Sequence, residues 1–136
     1  MFRRILITLA FAVGALAMTS GVAQAGSPHF VSNTVAATQD GATLTVSFKE
    51  AGLGDEPQVH VVLTADAQCV NPGDNHPKAG NKESVSVTGD FPVQNGKAEG
   101  SLSVTATFQP SCAPPMTVRY TNVVLADVTS GISVTL

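Results

Sequence analysis

The chain has 136 residues, of which 43% are hydrophobic and 12% charged, and its formal net charge at pH 7 is −3. This length suits one domain that is able to bury a core. Because acidic residues outnumber basic ones and Lys and Arg do not cluster, the composition argues against nucleic acid as a partner.

The first 25 residues have the pattern of a secretory signal peptide. Arg3 and Arg4 supply the positive start, residues 5–18 form an apolar run, and Ala23-Gln24-Ala25 is a small-x-small cleavage site. The apolar run is short for a membrane span. We therefore expect residues 26–136 to be secreted as a single extracellular domain, with no stable membrane insertion after cleavage. The paired arginines leave the general secretory and twin-arginine routes both open.

The rest of the chain is rich in Val, Thr and Ser and alternates with a period of two, which predicts an all-β domain. The clearest strand places Leu44, Val46 and Phe48 on one face and polar residues on the other. Strands are predicted over seven segments: residues 30–37, 43–49, 58–67, 84–91, 98–108, 117–128 and 132–136. In the sixth segment the apolar residues change face near Asn122, which predicts a β-bulge.

Turn residues separate these segments at Asp40-Gly41, Asn95-Gly96 and Ser130-Gly131. Seven short strands at this spacing predict an antiparallel immunoglobulin/fibronectin-like sandwich, with a barrel as the alternative. The chain has no Trp, so the Cys, Trp, Cys pattern of true immunoglobulin domains is absent.

Cys69 and Cys112 are the only cysteines, and a lone pair in an exported domain is expected to form a disulfide. If successive strands alternate in direction, the two cysteines lie in loops at the same end of the sandwich, which independently favours the pairing. A metal site is the alternative, but the Cys-x-x-Cys spacing that zinc sites favour is absent.

A candidate binding surface follows from the disulfide. The predicted irregular segment 68–83 faces residues 109–116 across the bridge, and ordered loops on a rigid scaffold often carry binding residues. The alternative is a purely structural connection in which Pro and Asn shape turns. The candidate binding residues are Asn71, Asp74, Asn75, His76 and Lys78.

No cofactor is predicted. His29, His60 and His76 share no metal-binding motif. Calcium is the better alternative, because hard oxygen ligands occur near one loop, yet no EF-hand spacing is present. The candidate calcium ligands are Asp66, Asn71, Asp74 and Asn75.

We also expect no enzymatic activity. No Ser lies in a Gly-x-Ser-x-Gly elbow. Glu50, Asp55 and Glu56 are interpreted as a solvated turn rather than as paired catalytic acids. Tyr120 is interpreted as a buried ring whose hydroxyl bonds to the backbone, as in the tyrosine corner of sandwiches.

One stretch runs from Cys69 to Lys82 and contains Asn-Pro-Gly-Asp-Asn-His-Pro-Lys, and another runs from Phe108 to Pro115. These two stretches resemble a group of short exported proteins from high-GC Gram-positive bacteria. The resemblance covers most of the mature chain and implies export and cysteine pairing. It carries over no catalytic or binding residue, because that group has no established activity.

Together these observations predict a secreted, non-catalytic binding or adaptor module that presents disulfide-braced loops to an extracellular protein or glycan. A small secreted hydrolase or metal-dependent enzyme is one alternative. A secreted protease inhibitor is the other, since a rigid exposed loop would suit that role.

Overall fold

The alternating segments form strands that all pair antiparallel. A computed structural model of the chain describes residues 26–73 and 81–136. Within those residues there are eight strands: β1 (His29–Phe30), β2 (Ala36–Asp40), β3 (Thr43–Ala51), β4 (Gln58–Val70), β5 (Lys82–Pro92), β6 (Ala98–Thr105), β7 (Thr117–Asp127) and β8 (Ile132–Thr135).

The strands form two four-stranded sheets. In the first sheet β3 is central, β6 pairs with one side of it, and β1 and β2 pair with the other side. The second sheet has the order β5-β4-β7-β8. The prediction of an antiparallel all-β domain with one disulfide is therefore confirmed, with eight strands instead of seven.

The core is formed by the apolar residues that the alternation places on the inner faces. Leu44, Val46 and Phe48 contribute from β3, and β4 and β7 contribute a second set that includes Leu63 and Leu125. Burying each such side chain stabilises the fold by roughly 1.5–3 kcal/mol. A slip of one residue in the strand pairing of either sheet would turn its apolar side chains toward solvent, so the core also fixes the register.

The first predicted strand is split in two, which accounts for the eighth strand. A 3₁₀ turn at Ser32–Thr34 separates β1 from β2. The Thr34 hydroxyl donates to the Val31 carbonyl (2.6 Å) and accepts from the Lys49 amide (3.0 Å). Local side-chain bonds of this kind compete with strand pairing, and they interrupt it here.

The bulge predicted in the sixth segment is confirmed. Thr64 pairs with Val124 but Asp66 pairs with Thr121, so two steps along β4 match three along β7. Asn122 lies at this point with a φ of 51°, a left-handed conformation that Asn tolerates better than most residues.

The connection between β4 and β5 is shorter than predicted. β4 continues to Val70 and β5 begins at Lys82, so Cys69 lies in a strand and not in a loop. Gln68 pairs with Lys82 on one side and with Arg119 on the other, and pairing on both sides extends β4. The predicted fifth strand, by contrast, ends at Thr105 instead of residue 108.

The interpretation of Glu50 as part of a solvated turn is wrong. Glu50 lies in β3, and its side chain has the same orientation as Leu44, Val46 and Phe48. Only 1% of the residue is exposed. Asp55 and Glu56 do lie exposed in the β3–β4 connection.

Two aromatic rings and one glycine join the two sheets near their β5 and β6 edges, and a third ring, Phe30 on β1, packs against Phe48 from the other side of β3. The Phe48 ring lies edge-to-face with Phe30 (5.9 Å between centroids) and with Phe91 (5.0 Å). Phe91 belongs to the second sheet, and its ring lies over Gly100 of the first. A Cβ at Gly100 would be 2.2 Å from Phe91 Cε1, so no larger residue fits unless the ring moves.

We therefore predict that Gly100→Ala destabilises the domain by about 1–3 kcal/mol, because the added methyl group displaces the Phe91 ring. Thermal unfolding measures the effect. The control is Ser101→Ala at the next position of β6, where the residue is exposed. Equal melting temperatures for the two variants would contradict this packing.

Candidate functional site: the disulfide end

Three loops meet at one end of the two sheets, as strand direction predicted. They are the β2–β3 turn, the first three residues of the β4–β5 connection and the β6–β7 loop. We call this surface the disulfide end and define it by residues 40–43, 71–73 and 106–116.

The predicted disulfide is confirmed. Cys69 and Cys112 are bonded, with 5.7 Å between their Cα atoms. The Cys69 side chain is buried on the inner face of β4, and Met116 Sδ lies 3.8 Å from its sulfur. The bond thus fixes the middle of the β6–β7 loop to the second sheet.

The rest of the β6–β7 loop is anchored at its start and at its end. Ala106 and Phe108 are buried in the core, although they follow the last residue of β6. Near the other end Met116 packs against the core, and its amide closes a turn by donating to the Ala113 carbonyl (2.9 Å). The loop is therefore held at three places, while residues 109–111 and 113–115 between them are exposed.

Tyr120 ties the β2–β3 turn to the β6–β7 loop, and the prediction that its hydroxyl bonds to the backbone is confirmed. The hydroxyl donates to the Ala42 carbonyl and accepts from the Ala106 amide (3.1 Å). Burial raises the pKa of the Tyr120 phenol above its usual value, and the charge of Glu83 adds to the rise. The phenol therefore stays protonated and able to donate at neutral pH.

A second side chain supports the same turn. Gln39 Nε2 donates to the Gly41 carbonyl (2.9 Å) and to the Val118 carbonyl (2.7 Å). Gln39 and Tyr120 thus hold the β2–β3 turn against β7. The bond to Val118 was not predicted, because a contact over this sequence distance leaves no local pattern.

The β6–β7 loop is chemically neutral. No Asp, Glu, Lys, Arg or His occurs between Thr105 and Arg119. The exposed part presents the amide of Gln109, the hydroxyl of Ser111 and the prolines at positions 110, 114 and 115. Such a surface offers hydrogen bonds and apolar contact rather than ionic attraction.

Most of the candidate binding residues lie outside the described residues. Asn71 is exposed immediately after β4, beside the disulfide. Asp74, Asn75, His76 and Lys78 fall within residues 74–80, which the structure does not describe, so their role stays a prediction.

A polar cluster that the sequence did not single out lies on the outer face of the second sheet. Asp66 accepts hydrogen bonds from Asn122 Nδ2 (2.8 Å) and from the Ser84 hydroxyl (3.1 Å). These bonds, the one from Asn122 first, lower the pKa of Asp66. Asp66 is one of the candidate calcium ligands, a role that stays a prediction, and its two oxygens accept hydrogen bonds from neighbours beside the bulge.

The histidines that the structure describes lie apart. His29 Nδ1 is 2.8 Å from the Ser27 carbonyl, and His60 Nδ1 is 2.6 Å from Asp90 Oδ1 on the outer face of the second sheet. Within residues 26–73 and 81–136, no three His, Cys, Asp or Glu side chains are grouped closely enough to hold a metal ion.

Comparisons with protein-family models, with characterised proteins and with solved structures find no match. The resemblance to short exported proteins therefore stays a prediction. In the part of the chain that the structure describes, no helix is long and apolar enough to cross a membrane.

We predict that replacing both Cys69 and Cys112 by Ala lowers the free energy of unfolding by about 4 kcal/mol, because the bridge closes a long loop in the unfolded chain. Urea unfolding measures the change. Reducing the wild-type protein is the matched control, because it breaks the bond without removing atoms from the core. If neither treatment changes the unfolding midpoint, the bridge does not stabilise the fold.

Proposed function

We propose that the protein is an extracellular, non-catalytic binding or adaptor module whose binding surface is the disulfide end. The observation that carries the proposal is an exposed, neutral loop that is held at three places on a β scaffold. The partner is an extracellular protein or glycan, recognised by shape and hydrogen bonds.

The rigidity of the loop supports this proposal. A flexible loop must lose conformational freedom when it binds, and that loss weakens affinity. The disulfide at Cys112, the buried Phe108 and the turn at Met116 restrict the loop before any partner arrives. The loop therefore loses less conformational entropy when it binds a partner than a flexible loop would lose.

The location outside the cell is part of the proposal. A disulfide persists in an oxidising compartment and is rare in the cytosol. The signal-peptide pattern over residues 1–25 supports export in the same sense, although those residues lie outside the described part of the chain.

We infer further that the domain is an immunoglobulin/fibronectin-like sandwich. The strand order supports this, since β5, β4, β7 and β8 form one sheet and β3 and β6 pair in the other. The bond from the Tyr120 hydroxyl to the backbone is also typical of such sandwiches. Domains of this architecture commonly bind through loops at one end of the sheets.

Alanine variants at the disulfide end test the proposed surface. The first variant replaces Gln109 and Ser111 of that surface, and the second replaces the candidate residues Asp74, His76 and Lys78, which lie outside the described residues. We expect each to weaken binding at least about tenfold, equivalent to about 1.4 kcal/mol, while the melting temperature is unchanged. Partners are recovered from spent culture medium with immobilised protein and then measured against each variant.

The control for this experiment lies at the opposite end of the sheets. Asp55→Ala with Glu56→Ala changes two exposed residues there and is expected to bind like the wild type. If both loop variants keep full affinity for the recovered partners, the disulfide end is not the binding surface. Binding by strand addition at an open sheet edge would give that result.

A further inference from the structure

Two carboxyl groups are buried between the sheets, at the end opposite to the disulfide. Glu50 lies near the end of β3 in the first sheet and is 1% exposed, and Asp127 ends β7 in the second sheet and is 0% exposed. We call Glu50 and Asp127 the acid pair. Asp and Glu are almost never fully buried unless they have a partner.

The Glu50 carboxyl has no hydrogen-bond donor among the described residues. No N–H or hydroxyl group of those residues donates to either Glu50 oxygen or to Asp127 Oδ2. The Asp127 side chain is among the causes that raise the pKa of Glu50, so the two acids act on each other across the core. Two carboxylates are both acceptors, so a hydrogen bond between them requires one proton.

The surroundings of the two groups decide which one holds the proton. Asp127 Oδ1 accepts from the backbone amides of Thr129 (2.9 Å) and Ser130 (3.2 Å). Among the described residues, Glu50 has no such donor. Burial, the hydrogen bond to Asp127 and the Asp127 charge together raise the pKa of Glu50 to about 8. Glu50 therefore carries the proton at neutral pH.

We propose that the acid pair is a proton-dependent contact that joins the two sheets and loosens the β7–β8 loop when the proton is lost in alkaline medium. While Glu50 keeps its proton, it donates to Asp127 across the core. Once the proton is lost, two negative charges face each other in a site from which water is excluded.

The β7–β8 loop is the segment that would respond. Asp127 holds it through the amides of Thr129 and Ser130. The loop in turn binds β4, since the His60 amide donates to the Thr129 hydroxyl (2.9 Å) and the Val128 amide donates to the His60 carbonyl (3.0 Å). A change in charge at Asp127 and Glu50 is thus passed directly to backbone hydrogen bonds.

Other ionisable groups on the strands around the acid pair point away from it. Lys49 and Glu99 pair on the outer face of the first sheet (3.6 Å). His60 and Asp90 pair on the outer face of the second, and His29 on β1 is exposed. Among the described residues, Asp127 is the charged group whose field raises the pKa of Glu50.

The direction of the pH dependence follows from the raised pKa. In the unfolded chain Glu50 releases its proton near its ordinary value of 4.5, whereas in the folded chain it keeps the proton up to about pH 8. Glu50 therefore stabilises the fold fully below its ordinary pKa of 4.5, and this contribution decreases as the pH rises from there to about 8. Above about pH 8 the contribution levels off.

The test is thermal unfolding of the wild type and of Glu50→Gln at constant ionic strength. Gln has the shape of protonated Glu and donates to Asp127 at every pH. We expect the wild-type melting temperature to fall by more than about 5 °C between about pH 5 and pH 9. Glu50→Gln should match the wild type at the acidic limit and exceed it at the alkaline limit. Glu99→Gln, an exposed change of the same type, should keep the wild-type slope.

A direct titration keeps the proposal testable even if Glu50→Gln folds poorly. The side-chain carboxyl carbon of Glu50 is followed by NMR in the wild-type protein, together with the amides of Thr129 and Ser130. A common midpoint near pH 8 supports the proton-dependent contact. An ordinary glutamate midpoint, or equal pH slopes for wild type and Glu50→Gln, would overturn it.

Discussion

The bond between Cys69 and Cys112 is the constraint on which the proposed binding surface depends. It joins β4 of the second sheet to a loop that leaves the first sheet, so one covalent link crosses the sandwich. Tyr120 adds a polar link between the same loop and the β2–β3 turn. With both links present, a segment without regular secondary structure can keep one shape.

The two ends of the sandwich are held by different chemistry. The disulfide end has a covalent bond and neutral hydrogen bonds, and its stability is sensitive to reduction. The opposite end has the Phe30, Phe48 and Phe91 rings and the acid pair, and the proposed proton-dependent contact would make it sensitive to pH. Conditions that weaken one end need not weaken the other.

Local alternation was enough to predict most strands and the bulge at Asn122, because side-chain orientation in a strand depends on neighbouring residues alone. The same alternation places Glu50 with Leu44, Val46 and Phe48, but nearby glycines and acids suggested a turn instead. Its contact with Asp127 could not be predicted, since it depends on how two sheets pack. The pairing of the cysteines was predictable because strand direction brings both to one end. The chemistry of residues 74–80 stays a prediction.

Backbone hydrogen exchange in the oxidised and reduced protein tests the central claim most directly. If the disulfide holds the β6–β7 loop in one shape, the Met116 and Ala106 amides exchange slowly in the oxidised protein and much faster after reduction, while amides in the middle of β3 stay protected. Fast exchange of Met116 and Ala106 in the oxidised protein would contradict the account, because the loop would then be mobile despite its bridge.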